Sequence, residues 1–163
     1  MGGKKMTDQD LEFMRQAIRL AGEGMEAGEG GPFGAVIVRD ERVIGSGWNR
    51  VLATNDPTAH AEIVAIRDAC HRTSQYWLEG STIYVNCEPC PMCLAAIHWA
   101  RIGRLVFAAT REDAAAIDFA DDAIYHQVCL PPAQRAMPTS QLLRDAALQV
   151  MQRWPVFTSR RRY

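Results

Sequence analysis

The chain reads as an α/β protein, a three-layer α/β/α sandwich around a central mixed five-stranded sheet. Three observations predict this. Stretches of helical apolar spacing alternate with short strand-like runs, a pattern that packs helices on both faces of a sheet. Two clusters of polar and sulfur side chains, at 60–62 and 90–93, each open a helix at a neighbouring strand end, the usual place for a site on such a sheet. At 163 residues, with 48% hydrophobic and 23% charged side chains, the chain has the size and balance of one domain with a full core.

The elements follow in order. Thr7 or Asp8 can cap a first helix whose apolar positions Leu11, Met14, Ile18 and Met25 keep helical spacing to about Ala27. The Gly28 to Gly31 region ends it. Ala35 to Val38, a turn at Asp40-Glu41, and Arg42 to Trp48 read as a hairpin. After a loop with Asn55-Asp56-Pro57, Thr58 or Ala59 opens a helix that runs through Ile63, Ala65 and Ile66 to about His71. Thr82 to Asn86 is a buried strand, Pro91 to Ala100 a helix and Leu105 to Ala109 another strand. Beyond Thr110 come an acidic, alanine-rich loop, a short helix at Ala123 to Gln127, a strand near Met137 to Leu143 and a helix near Ala146 to Trp154. The whole of 1–163 reads as one domain without an evident linker or internal repeat.

Charge and cysteine usage narrow the function classes. A net charge of −1 provides no sequence-wide basic field for a polyanion, so neither a nucleic acid nor a tRNA substrate is expected. Arg160-Arg161-Arg162 reads as a solvated terminus. Five cysteines, an odd number, suit a reducing cytoplasm better than a disulfide framework. The opening MGGKKMTDQD carries no apolar stretch after its lysines, so no secretory signal is expected. No segment approaches membrane-spanning length, and no membrane partner is expected.

The two clusters carry the chemistry. His60 offers a neutral imidazole nitrogen, and Cys90 and Cys93 stand at i,i+3, which on a helix puts both sulfurs on one face. Pro89 and Pro91 suit a helix that begins here, because proline fixes φ and needs no N–H at the first helical position. The positive end of that helix and a metal would both favour thiolates. Three protein ligands leave a fourth metal position for water, the arrangement of a catalytic rather than a structural zinc site. Glu62, two residues past the histidine, is the natural general acid/base, taking a proton from that water and delivering it to a leaving group. This His-x-Glu with Pro-Cys-x-x-Cys is the pattern of zinc deaminases that act on nucleobases. Cys87 reads as a packed core cysteine, Trp48, Trp77 and Trp154 as core aromatics, and His71, His98 and His126 as non-ligands.

The chain resembles the cytidine/deoxycytidylate deaminase superfamily, and within it the bacterial guanine deaminases. The resemblance rests on Gly30 to Val36, Asn55 to Glu62, Cys87 to Cys93, Trp99-Ala100-Arg101 and the terminal tyrosine. The hairpin ending Gly47-Trp48-Asn49-Arg50 and the start His60-Ala61-Glu62-Ile63 resemble tRNA adenosine deaminases equally well. Asp113-Ala114-Ala115, Phe119 to Asp122, Ile124-Tyr125 and Tyr163 resemble guanine deaminases. The resemblance implies that Asn49 hydrogen-bonds the base and that Phe33 and Trp99 wall its pocket. It implies that Asp121 contacts the reacting amidine edge and that Tyr163 reaches a partner's pocket through a swapped C-terminal segment, about 130–163, of a homodimer. The family pattern at the acidic loop is Phe-Asp-Asp, whereas Ala120 here separates Phe119 from Asp121-Asp122, so Asp118 and Asp122 remain alternatives to Asp121.

Substrate chemistry independently favours that loop. Guanine presents adjacent N1–H and N2–H donors, which an ionised carboxylate accepts as a charge-assisted pair. Adenine presents N1 as an acceptor at its reacting edge, which repels the same group. The expected reaction is hydrolysis of guanine to xanthine and ammonia, with one zinc ion per subunit. The alternatives are deamination of adenosine in tRNA, deamination of cytosine, guanosine or a related aminated heterocycle, and a zinc-binding module of this fold without turnover.

Overall fold

Residues 6–161 are described in the computed structural model, and they fall into two units that divide after Asp121. The first begins with helix α1, Asp8–Glu26, started by a capping box in which Thr7 and Asp10 hydrogen-bond each other's backbone N–H. Its buried face is Asp10, Ala17, Ala21 and Gly24, whereas Leu11, Ile18 and Met25, expected to face the core, lie about half exposed. Close approach explains the reversal. A Cβ at Gly34 would stand 2.2 Å from the Ala17 carbonyl oxygen, so the helix sits nearly backbone to backbone on the sheet and leaves no room for large side chains on that face.

Strands β1, Gly34–Arg39, and β2, Arg42–Trp48, form the expected hairpin. Asp40 and Glu41 both have positive φ, 50° and 62°, as the central residues of a type I′ turn require. A one-turn helix α2, Val51–Thr54, follows. Helix α3 spans Ala61–Thr73, starting later than expected because the Asp56 carboxylate accepts from the Thr58 N–H and hydroxyl at 2.8 and 2.6 Å and keeps the chain out of helix there. Strand β3, Thr82–Cys87, helix α4, Pro91–Trp99, and strand β4, Arg104–Ala109, complete the layers. Helix α5, Arg111–Ala115, replaces the start of the expected loop, nucleated by a second capping box between Thr110 and Asp113.

The strand order is β2-β1-β3-β4, antiparallel except for the parallel β3–β4 pair, so the sheet is mixed. Period-two alternation divides its side chains. Ala35, Ile37, Ile83 and Val85 pack with Ala61, Ala65 and Ala69 of α3 and Ile97 of α4, while Val36, Val38 and Tyr84 pack with Ala17 of α1. Helices therefore cover both faces. The expected fifth strand is a correction: among the described residues the sheet has four strands, and 137–143 pairs with none of them. A strand requires a partner edge, and Pro138 supplies no N–H to a ladder.

The second unit, 122–163, holds helices α6, Asp122–Cys129, and α7, Arg144–Arg153, neither of which buries a residue. Trp154, expected in the core, is 47% exposed and stacks on Phe157. No helix of the described residues is long and apolar enough to cross a membrane.

Candidate active site

Two helix starts build the site. His60 is the N-cap of α3 and Cys90 the N-cap of α4, both in extended backbone, and neither side chain caps its own helix. An N-cap side chain ordinarily accepts from the first turn; here both turn to each other. The Cys90 and Cys93 sulfurs each lie 3.6 Å from His60 Nδ1, and the three ligand atoms fall within 4.8 Å of one another. Zinc–sulfur and zinc–nitrogen bonds of ordinary length at a tetrahedral angle put sulfur and nitrogen about 3.6 Å apart. The sulfur–nitrogen spacing fits one zinc ion, and two sulfurs with an imidazole nitrogen suit zinc over calcium or magnesium. Among the described residues this is the group that could hold a metal, and His71, His98 and His126 are outside it.

The electrostatics follow from burial and from the contacts within the ligand group. Glu62, in the first turn of α3, is only 7% exposed, and burial holds its carboxyl above the usual carboxylate range. The hydrogen bond from Cys93 first, and His60 after it, hold the Cys90 thiol below its usual range. Cys93 is pushed upward by the same hydrogen bond and by burial. Contact with Cys90 raises His60. Cys87 is buried, donates to the Thr110 carbonyl at 3.5 Å and is held up at about 11, first by burial, as suits a packed, protonated thiol.

Asn49 directly follows β2 and is 5% exposed. Its Oδ1 accepts from the Gly31 and Val51 N–H groups at 3.3 and 3.2 Å, and its own N–H donates to the Phe33 carbonyl at 2.9 Å. Phe33 stands half-buried just before β1, with the Phe119 ring edge-on at 4.9 Å. That contact ties the acidic loop to the Gly31-Pro32-Phe33 loop. Within the loop Asp121 is half-buried, while Asp118, at a φ of 70°, and Asp122 are exposed. Trp99 is the last residue of α4, about 12 Å along the helix from its start, and 74% exposed; the structure does not bring it to the ligands of its own chain. Tyr163 lies outside the described residues.

Sequence reasoning gave no role to two residues near the site. Asn86 accepts from the Gly34 N–H at 2.8 Å and donates to the Pro32 carbonyl at 2.9 Å, pinning the Phe33 loop to β3. A polar side chain ending the buried run Ile83-Tyr84-Val85 was its signal. Phe119 had no local signal, because its partner Phe33 is distant in sequence.

Comparison with known proteins agrees with this geometry. A guanine deaminase of Bacillus subtilis (strain 168) is 46% identical over 151 residues, 93% of this chain and 97% of the relative. The crystal structure of guanine deaminase from Bacillus subtilis superposes with a TM-score of 0.92 at 44% identity, covering 97% of this chain and 99% of that one. A tRNA-specific adenosine deaminase of Buchnera aphidicola subsp. Schizaphis graminum is 45% identical over 107 residues, 66% of this chain and 70% of the relative. Residues 7–109 match the family model of the cytidine and deoxycytidylate deaminase zinc-binding region, a span that includes all three ligands and Glu62. The chain belongs to the cytidine and deoxycytidylate deaminase family.

Proposed function

We propose that the protein hydrolyses guanine to xanthine and ammonia. One observation carries the reading: likeness to the guanine deaminase runs over 93% of the chain, whereas likeness to the tRNA adenosine deaminase covers 66%. Fold, ligand triad and Glu62 fit either substrate, so the residues beyond that shared part have to decide.

His60, Cys90 and Cys93 would hold zinc, which would supply Lewis-acid activation of a water molecule. The side chains do the rest. Asp121 accepts from N1–H and N2–H and so orients the ring edge. Asn49 donates to an acceptor of the base, and Phe33 covers a ring face. Buried Glu62 accepts a proton from water as the water oxygen bonds to C2. Glu62, helped by Asp121, returns that proton to the exocyclic amine, the C2–N bond breaks with its electron pair leaving on nitrogen, and ammonia departs. Water and guanine become xanthine and ammonia.

The functional assembly is a homodimer in the cytoplasm. α6 and α7 bury no residue in a single chain, and a second copy gives the segment 130–163 a surface to cover. Trp99, outward-facing, and Tyr163 then complete a pocket of the partner. The cysteines, free in the described residues, suit a reducing compartment. The test is ammonia release with guanine, guanosine, cytosine, adenine and tRNA. Turnover of guanine alone is expected; release from tRNA in preference to guanine would replace the substrate assignment.

A further inference from the structure

We propose that Glu29 is a positioning residue that aims the base-binding amide of Asn49. The inference rests on the assignment of Asn49 to the base.

Glu29 acts on both neighbours of Asn49. Its Oε2 accepts from the Trp48 indole N–H at 2.9 Å and from Arg50 Nε at 2.8 Å, so one oxygen ties together the residues on either side of Asn49 in the chain. The Arg50 guanidinium also lies 5.8 Å from the Trp48 ring centre, closing a three-membered cluster. The main chain of Glu29 extends the hold. Its carbonyl accepts from the Leu52 and Ala53 N–H groups at 3.1 and 3.0 Å, satisfying donors at the start of α2 that the N-cap, Arg50, leaves without a side-chain partner.

The next two residues shape the amide itself. A Cβ at Gly30 would stand 2.1 Å from Asn49 Oδ1 and 2.6 Å from its carbonyl oxygen, so only glycine lets the backbone pass there. Gly31 then donates to Oδ1. With two backbone N–H groups aimed at it, that atom is the amide oxygen and is fully used. No hydrogen bond of Asn49 uses Nδ2, yet no buried side-chain nitrogen or oxygen among the described residues lacks a partner. The amide nitrogen is therefore left as a donor that is not sealed from solvent, and on a bound base it would pair with a carbonyl oxygen or an unprotonated ring nitrogen. Arg50 passes the same clamp on to the metal side, since its N–H donates at 2.9 Å to the carbonyl of Ala59, the residue before His60.

Both clamp bonds end on one oxygen. Glutamine keeps an oxygen in that place and alanine does not, so Glu29→Gln should recover most of what Glu29→Ala loses. A double-mutant cycle tests the route of action: kcat and KM for guanine in the wild type, Glu29→Ala, Asn49→Ala and the pair, with zinc content and melting temperature for each. Glu29→Ala is expected to lower kcat/KM roughly tenfold, mainly through KM, and by less than about twofold once Asn49 is already alanine. An equal loss in both backgrounds overturns the proposal while leaving Asn49 on the base. No loss on Asn49→Ala removes the base contact, and the proposal with it. If Glu29→Ala does not fold, Trp48→Phe, which removes the indole N–H from the clamp together with part of the ring, replaces it in the same cycle and is read by the same criterion.

Discussion

Residues up to Asp121 and residues beyond it are held in opposite ways. The first unit wraps a sheet between helices and buries Glu62, the proposed general base, Asn49, the proposed base contact, and Cys93 of the ligand group. In the second, α6 and α7 expose Ile124, Val128, Val150 and Met151. Apolar burial contributes about 25 cal/mol per Å² to folding, a term these helices hardly collect from their own chain. The chemistry of amine removal sits where the fold is self-sufficient. Of the residues proposed to choose the substrate, Asn49, Phe33 and Asp121 belong to the first unit as well, and Tyr163 alone belongs to the second.

The largest effects should fall within the first unit. Stripping zinc with a chelator should abolish ammonia release, and added zinc should restore it; persistence of turnover in metal-free protein would detach the ligand group from catalysis. Glu62→Ala should keep its zinc and lose about 10²–10⁴ in kcat, the range for a positioned acid/base. Undiminished kcat would remove Glu62 from its role.

Effects of middle size should come from the boundary and from the second unit. Deleting Tyr163 should leave zinc content and melting temperature alone while lowering kcat/KM by about tenfold or more, the scale of one pocket contact. Equal activity would take Tyr163 out of the pocket. Asp121→Asn should weaken guanine turnover by roughly tenfold or more, since it loses a charge-assisted pair. Asp122→Asn should stay near wild type, and the reverse order would shift the assignment by one residue.

The smallest effect concerns stability alone. Asp10 accepts from Arg104 at 2.7 Å and from the Tyr84 hydroxyl at 2.6 Å, which bolts the start of α1 to β3 and β4. Arg104 foremost, with Tyr84 and Thr7 adding to it, holds the Asp10 carboxyl below its ordinary value of 3.8. A lowered folded-state pKa stabilises above the unfolded value, and that contribution disappears as pH falls below it toward the folded value. Melting temperature should therefore fall below about pH 4, and by less in Asp10→Asn, which starts lower at neutral pH. An unchanged acid limb in Asp10→Asn would assign the loss to other carboxylates.

What could be read from the sequence follows the range of the signal. The metal ligands and Glu62 lie in two short motifs whose spacing alone implies convergence, and the strands of the first unit are local patterns. Leu11, Ile18 and Met25 misled because helical spacing marks a stripe without saying which neighbour it meets; the small residues Ala17, Ala21 and Gly24 decide that. Residues 137–143 misled because pairing is a property of two segments. Asn86 and Phe119 act through partners more than 50 residues away, Pro32 and Phe33 respectively, beyond any local pattern.

His60 and Cys90 sit at helix N-caps, whereas Asn49, Phe33 and the acidic residues sit in or beside loops. This separation makes the scaffold evolvable. Loops tolerate insertion and exchange, so a lineage can exchange one amine-bearing ring for another without disturbing the atoms that break the carbon–nitrogen bond, and a designer can randomise the same loops with the reaction held constant.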